Sequence, residues 1–338
     1  MIRTPFRPRI ESLESREVPA VGLFNGVLTI DGDIGADTIV VSQAGDNVLV
    51  TLNSVNSLFT LSDVTSVRIN GGLSDDTITY TLDKDVTVGD SDGNNTITVG
   101  GILGGGDATI YVGNGNDTIT STATGAVVIG GDGGNDTITV SGASNAVIVG
   151  GGGNDTITGA TSGLANVTGG DGNDSITLSG ASNAVISGDG GHDVITGSGV
   201  GSANITGGDG NDTITCDATG AVSIGGGSGN DAITCATPGL TTISGGSEND
   251  VIMNNGTGDA IIRGDGGDDA ISGGFGQNTI NGGSGDDILI GRGVGGDSLS
   301  GGSGADSITA AGGPSTLYVD AQDIFFTTRL IDTVIFVG

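Results

Sequence analysis

Residues 169–187 read GGDGNDSITLSGASNAVIS, residues 188–206 read GDGGHDVITGSGVGSANIT, and residues 207–225 read GGDGNDTITCDATGAVSIG. Set under one another, the three segments align a glycine-rich loop, an aspartate, an isoleucine two places later and a second aliphatic position twelve places later. The aspartate recurs as Asp117, Asp136, Asp155, Asp174, Asp193, Asp212, Asp231, Asp250 and Asp269, at eight successive intervals of 19 residues. A fixed period of this length marks a solenoid, whose turns bury little alone and become stable by stacking. Stacking also gathers like residues, so one carboxylate per coil becomes a column of carboxylates.

Working outward, the register runs back through Asn95 (an interval of 22), Asp76, Asn56 (20) and Asp37. Forward of Asp269 the repeat halves, through Asn278, Asp287, Asp297 and Asp306, at intervals of 9, 9, 10 and 9. One landmark per turn gives about fifteen coils of 18–20 residues in an all-β, parallel β-solenoid, a rod about 70 Å long at ~4.8 Å per stacked strand. The chain divides into an N-terminal export- or sorting-like segment (1–20), a cap with irregular coils (21–116), regular coils (117–269), nonapeptide coils (270–312) and a C-terminal cap (313–338).

Each coil reads as two short strands. In Thr137-Ile138-Thr139 and its copies, alternation turns the isoleucine inward and both threonines outward. The inward column extends through Ile39, Leu58, Ile78, Ile97, Ile176, Ile195, Ile233, Ile252, Ile271, Leu289 and Ile308. A facing column runs through Ile129, Ile148, Val167, Ile186, Ile205, Ile224, Ile243 and Ile262. The two edges differ: one carries the acidic loops, the other carboxylate-poor turns such as TGATSGLA and SGASNA, so metal is expected on one edge until the nonapeptides begin. Cys216 and Cys235, the only cysteines, fall 19 apart and are expected to face each other in adjacent coils, with a pair of thiols favoured over a disulfide.

Among 338 residues there are 70 glycines, no tryptophan and a formal charge of −31. Nucleic acid, which needs a basic footprint, is excluded as a partner class. Four of the nine basic residues (Arg3, Arg7, Arg9, Arg16) lie in the first sixteen positions. That start has no apolar run that could serve as an ordinary signal or a membrane span. Its LESREVPA (13–20) resembles a segment near the start of many exported bacterial proteins. VGLFNGVLTIDG (21–32) reads as a hairpin about an Asn-Gly turn, and the last stretch, with Phe325, Phe326 and Phe336, as a closure of the open end. No Ser/His/Asp or Cys/His set can be assembled, so the expectation is a chain that is not an enzyme.

Stacked carboxylates about 4.8 Å apart repel by roughly 1 kcal/mol per pair in water, and a divalent cation between coils turns that repulsion into cohesion. Carboxylate and carbonyl oxygens in a flexible glycine loop favour Ca²⁺.

GGDGNDSIT (169–177), GGDGNDTIT (207–215), GGSGDDILI (282–290) and GGSGADSIT (301–309) resemble the RTX, or hemolysin-type, calcium-binding nonapeptide GGxGxDxUx. The resemblance implies a right-handed parallel β-roll with several calcium ions between neighbouring loops. It implies, as side-chain ligands, the sixth-position aspartates Asp37, Asp76, Asp117, Asp136, Asp155, Asp174, Asp193, Asp212, Asp231, Asp250, Asp269, Asp287, Asp297 and Asp306. Loop carbonyls such as those of Gly169, Asp171, Gly207 and Asp209 complete the shell. Asn95 and Asn278 replace the aspartate, and Glu248 replaces the fourth-position glycine, which leaves weaker sites. The function expected is that of an exported, calcium-stiffened building block of a bacterial surface or matrix, with self-association and cell-surface glycans as the open partner classes. The 19-residue coil with one calcium edge also resembles the calcium-dependent ice-binding section of a bacterial RTX adhesin. There the ice contacts come from a TGND loop, whose threonine this chain replaces with Asp, Ser, Gly or Asn. The alternative is therefore ice binding by the outward Thr-Ile-Thr face. A third reading is the RTX module of a secreted polysaccharide-modifying enzyme.

Overall fold

The computed structural model describes residues 19–101, 104–294, 296–327 and 333–337; most of the LESREVPA motif lies outside them. Each regular coil supplies one strand to each of two facing parallel sheets. Thr118–Ser121, Thr137–Ala143, Thr156–Thr161 and Ser175–Ser179 stack in the first sheet. Ala126–Gly130, Asn145–Gly152, Leu164–Asp171 and Asn183–Gly190 stack in the second. The register equals the sequence period: Ile119 pairs with Ile138, Ile138 with Ile157, and Ile157 with Ile176. Ile129, Ile148, Val167 and Ile186 align in the same way across the other sheet.

The core is these two aliphatic columns. Ile138, Ile186 and Ile205 are fully or almost fully buried, and each such side chain contributes roughly 1.5–3 kcal/mol. Ala146, Ala165, Ala184 and Ala203 are buried beside the second column. Between residues 117 and 269 the edge opposite the acidic loops is filled from within by small side chains, among them Ala143, Thr161, Ala181, Val200, Ala218 and Thr237. Cys216 and Cys235 pair in register and are buried as free thiols.

The first turns depart from the expected register. Thr38–Ala44 pairs directly with Thr77–Tyr80, Thr38 against Thr77. The intervening Asn47–Leu52 and Val55–Thr60 run antiparallel, the former against Thr38–Ala44 and the latter against the former. Asn53 and Ser54 both take positive φ (49° and 70°), the two-residue reversal that suits a twisted hairpin. Asn56 therefore marks no coil, and Leu58 is 64% exposed instead of joining the inward column. One landmark per turn from Asp37 through Asp76 and Asn95 to Asp306 leaves about fourteen coils rather than fifteen.

The antiparallel pieces cover the N-terminal edges of both sheets. Ala20–Phe24 lies along Val27–Asp31 through Asn25 and Gly26, whose φ values are 49° and 83°; this is the expected Asn-Gly hairpin. An exposed strand edge is a template for association, and a hairpin laid along it removes the free donors and acceptors. At the other end Ile324–Thr327 and Thr333–Phe336 are the last strands of the two sheets. The Phe325 and Phe336 rings meet edge to face across the end, with centroids 6.3 Å apart.

Truncating the core and truncating the hairpin should separate these environments. Ile205→Ala should destabilise the calcium-loaded chain by about 2–5 kcal/mol, whereas Leu58→Ala should stay within about 0.5 kcal/mol. Denaturant unfolding followed by circular dichroism checks both.

Candidate metal centre

The aspartate column is held by the backbone of neighbouring coils. The Asp117 amide donates to Asp136 Oδ1 at 2.8 Å, and the Asp136 amide donates to Asp155 Oδ1 at 2.8 Å. The pattern continues without a break through Asp155, Asp174, Asp193, Asp212, Asp231, Asp250, Asp269 and Asp287 to Asp306. Upstream, the Asp37 amide donates to Asp76 Oδ1, that of Asp76 to Asn95 Oδ1, and that of Asn95 to Asp117 Oδ1. All these side chains are buried within the loop edge.

One oxygen of each carboxylate is thus occupied; the other is not. Oδ2 of Asp76, Asp117, Asp136, Asp155, Asp174, Asp193, Asp212, Asp231, Asp250, Asp269, Asp287 and Asp306 is buried without a hydrogen-bond partner. All but that of Asp117 point at the first glycine of their loop. A Cβ on Gly150 would collide with Asp155 Oδ2 and stand 2.6 Å from the Gly169 carbonyl oxygen of the next coil. A Cβ on Gly188 would collide with Asp193 Oδ2 and stand 2.6 Å from the Gly207 carbonyl oxygen. Gly131, Gly207, Gly226, Gly245, Gly264 and Gly282 repeat the arrangement. Glycine is needed here because a side chain would fill the space that the carboxylate and carbonyl oxygens share.

Among the described residues, no three His, Cys, Asp or Glu side chains converge as a metal-holding group. The donor set is one carboxylate oxygen per coil plus main-chain carbonyls, which suits a hard, oxygen-seeking cation and not zinc or copper. The residues fit calcium: Oδ2 and the first-glycine carbonyls would hold it. A bound ion would supply positive charge to an interior that has none.

Burial is the first cause of a raised pKa along the column. It lifts Asp136, Asp250 and Asp287 from 3.8 to about 7, and Asp117, Asp155, Asp174, Asp193, Asp212 and Asp231 to about 6. The amide bond to Oδ1 opposes the rise. Neighbouring carboxylates add to it in most of these loops, as Asp117 and Asp155 do for Asp136.

Several positions break the pattern. Asp37 Oδ2 accepts the Asp33 amide at 2.7 Å and its Oδ1 accepts from the Asn53 side chain, so both oxygens have partners. Asp297 is likewise engaged: Oδ2 accepts the Gly293 amide at 2.9 Å, and Oδ1 accepts both the amide and the side chain of Asn278. The Asn278 Nδ2 donates to the carbonyls of Gly274 and Gly276 and to Asp297 Oδ1. The side-chain amide thereby brings together two loop carbonyls and a carboxylate of the next coil, a set that elsewhere would suit a cation. Asn95 keeps the ladder through Oδ1 and directs Nδ2 to the Gly93 carbonyl. Glu248 takes φ +71° where most loops have glycine, and its Oε2 accepts the Gly229 amide at 2.8 Å; Asp250 Oδ2 remains unpartnered. Before Asp117 the first-glycine position is held by buried Val112, so a side chain occupies that cradle.

Asp171 and Asp209 place their carbonyls in the ladder, accepting from the Gly153 and Gly191 amides. Their side chains, with Asp189, line an open polar groove on the outer surface of the loops. The residue before each aspartate forms a second, exposed ladder. Asn116 Oδ1 accepts the Asn135 amide, Asn135 Oδ1 that of Asn154, and Asn154 Oδ1 that of Asn173. His192 takes a rung, its Nδ1 accepting the Asn211 amide at 2.7 Å. Neither the ladder nor this histidine's part in it was among the expected functions, although the asparagines carry the same 19-residue period.

The model of the RTX calcium-binding nonapeptide repeat matches the chain in four copies, over residues 102–123, 140–162, 254–291 and 293–317. No curated protein matches the chain. The chain thus carries RTX calcium-binding repeats on a parallel β-solenoid.

Because the buried carboxyls titrate above 3.8 in the folded, metal-free chain, that state binds protons which the unfolded chain has released. Stability without metal should therefore rise as pH falls through about 7 towards about 4. Calcium affinity should move the other way and tighten as pH rises through the same window. Circular dichroism in chelator at pH 5 and 7.5 checks the first: more β signal is expected at pH 5, and more at pH 7.5 would contradict it.

Proposed function

We propose that the chain is a non-catalytic, exported structural rod whose coils are joined by calcium between successive loops, serving at a bacterial surface or in its matrix. The supporting observation is the file of buried, unpartnered Oδ2 atoms, which from Asp136 to Asp287 each lie beside a glycine and the carbonyl of the next coil. Such a file opposes folding while its charges lack a counter-ion, and the core that must offset it is thin and mainly aliphatic, with Tyr80 its largest side chain. An ion that bridges consecutive coils neutralises the file and ties each coil to the next. Export would place the chain where calcium is plentiful. The exposed acidic face favours cationic partners, other rods bridged by cations, or glycans.

A second reading has its own observation. Thr79, Thr98, Thr120, Thr139, Thr158, Thr177, Thr196, Thr215 and Thr234 align in register on the outer face of the first sheet and end at Met253. This regular hydroxyl and methyl file is the surface that ice binding would use. An ice-growth assay on the calcium-loaded chain separates the readings, since only the second expects arrested or reshaped crystals.

The rod reading makes two demands. In excess chelator at pH 7.5 the chain should lose its β signal and regain it as calcium approaches millimolar levels; an unchanged spectrum would sink the proposal. Asp174→Ala with Asp212→Ala should lower calcium stoichiometry, whereas Ser162→Ala with Ser202→Ala on the opposite edge should not. Equilibrium dialysis reads that difference.

A further inference from the structure

The loop 90–95, DSDGNN, has lost the sixth-position aspartate to Asn95 but has gained a carboxylate at position one, where most loops have glycine. The structure brings that carboxylate into the file. Asp90 Oδ1 accepts the Ser91 amide at 2.8 Å, and Oδ2 is buried without a partner. One coil earlier, Asp76 is 1% exposed; its Oδ1 accepts the Asp37 amide and its Oδ2 is also unpartnered. Both free oxygens converge on the same point over Gly71. A Cβ there would stand 2.5 Å from Asp76 Oδ2 and would collide with Asp90 Oδ2.

The comparison with regular coils is direct. At Gly150 the corresponding point is shared by one carboxylate oxygen and one neutral carbonyl, that of Gly169. At Gly71 the carbonyl's place is taken by a second carboxylate. One coil further along, Tyr111 pairs in register with Gly89, and the residue that follows it, Val112, is fully buried. Asn95 meanwhile satisfies its own amide on the Gly93 carbonyl and keeps its ladder bond to the Asp76 amide. Within this loop the carboxylate has been moved, not removed.

We propose that Asp76 and Asp90 form a two-carboxylate site for one divalent cation between the second and third coils, distinct from the one-carboxylate cradles of the regular repeat. Two facing carboxylates with buried, unpartnered oxygens need a positive partner, and a doubly charged ion balances them without help from a further side chain. The site binds a divalent or trivalent hard cation more tightly than the regular cradles do. It is the first to fill and holds the irregular N-terminal turns to the regular stack. The inference rests on the reading of the loops as cation sites, and the experiment separates the two.

The chain has three tyrosines, at 80, 111 and 318, and no tryptophan. Terbium emission excited through tyrosine therefore reports sites near those residues and is blind to most of the regular coils. Tyr111 is the neighbour of the proposed site, since its carbonyl accepts the Asp90 amide at 2.9 Å. Asp90→Asn in the full chain should raise the terbium concentration for half-maximal emission by about tenfold, through loss of one of two facing charges. Asp90→Gly, which restores the repeat's own residue, should do the same and guards against a local effect of asparagine. Asp92→Asn, which removes an exposed charge two residues away, should leave that curve in place. Superimposable curves for wild type and both Asp90 variants would mean that the pair holds no ion of its own. An equal shift with Asp92→Asn would reduce the effect to general charge. Either result overturns the site while calcium binding elsewhere survives. A wild-type chain that binds neither terbium nor calcium removes this site and the rod reading together.

Discussion

The bond on which this molecule depends runs from the amide of each loop aspartate to Oδ1 of the aspartate one coil later. It fixes the carboxylate inside the loop edge. In doing so it leaves Oδ2 buried and without a partner. Coil spacing and carboxylate placement are therefore one constraint. The backbone bond sets the geometry, and the leftover oxygens set the requirement for positive charge. In the proposed rod, a core of two aliphatic columns does not override that requirement by burial alone, and a cation neutralises the column.

The departures from the repeat follow the same logic. Asn278 inserts an amide among oxygens that would otherwise call for an ion. Asp37 and Asp297 direct both oxygens at hydrogen-bond donors. Glu248 accepts a positive φ and offers its own carboxylate to the previous loop. The Glu248 loop still leaves Asp250 Oδ2 unpartnered, as the regular loops do. The interior tolerates several chemical solutions, provided that its oxygens face something positive or something that donates a hydrogen.

Much of this could be read from the chain before its structure. The spacing between Asp and Ile gave the coil length, the inward columns and the pairing of Cys216 with Cys235. The Asn-Gly at 25–26 gave the first hairpin. Residues 47–60 were misread because NVLVTLNSVNSLFT alternates as well for a hairpin as for another coil, and its turn at Asn53 and Ser54 lacks the glycine that would have signalled a reversal. Asp90 was passed over because the register points to position six, and its meeting with Asp76 is a fact of stacking between coils. The asparagine ladder was hidden beside the aspartates, whose period it shares.

The two ladders run with opposite polarity. Each aspartate offers its amide to the following coil, while each asparagine offers its side-chain oxygen to the following coil's amide. The C-terminal face of any finished coil consequently displays a waiting donor beside a waiting acceptor, and the N-terminal face of the next displays the complementary pair. The two faces of a coil therefore differ, and successive coils fit in one orientation only. A completed coil specifies register and spacing for its successor, much as the end of a crystal lattice specifies where the next layer lands. A coil that cannot form therefore leaves an unmatched face on each of its neighbours.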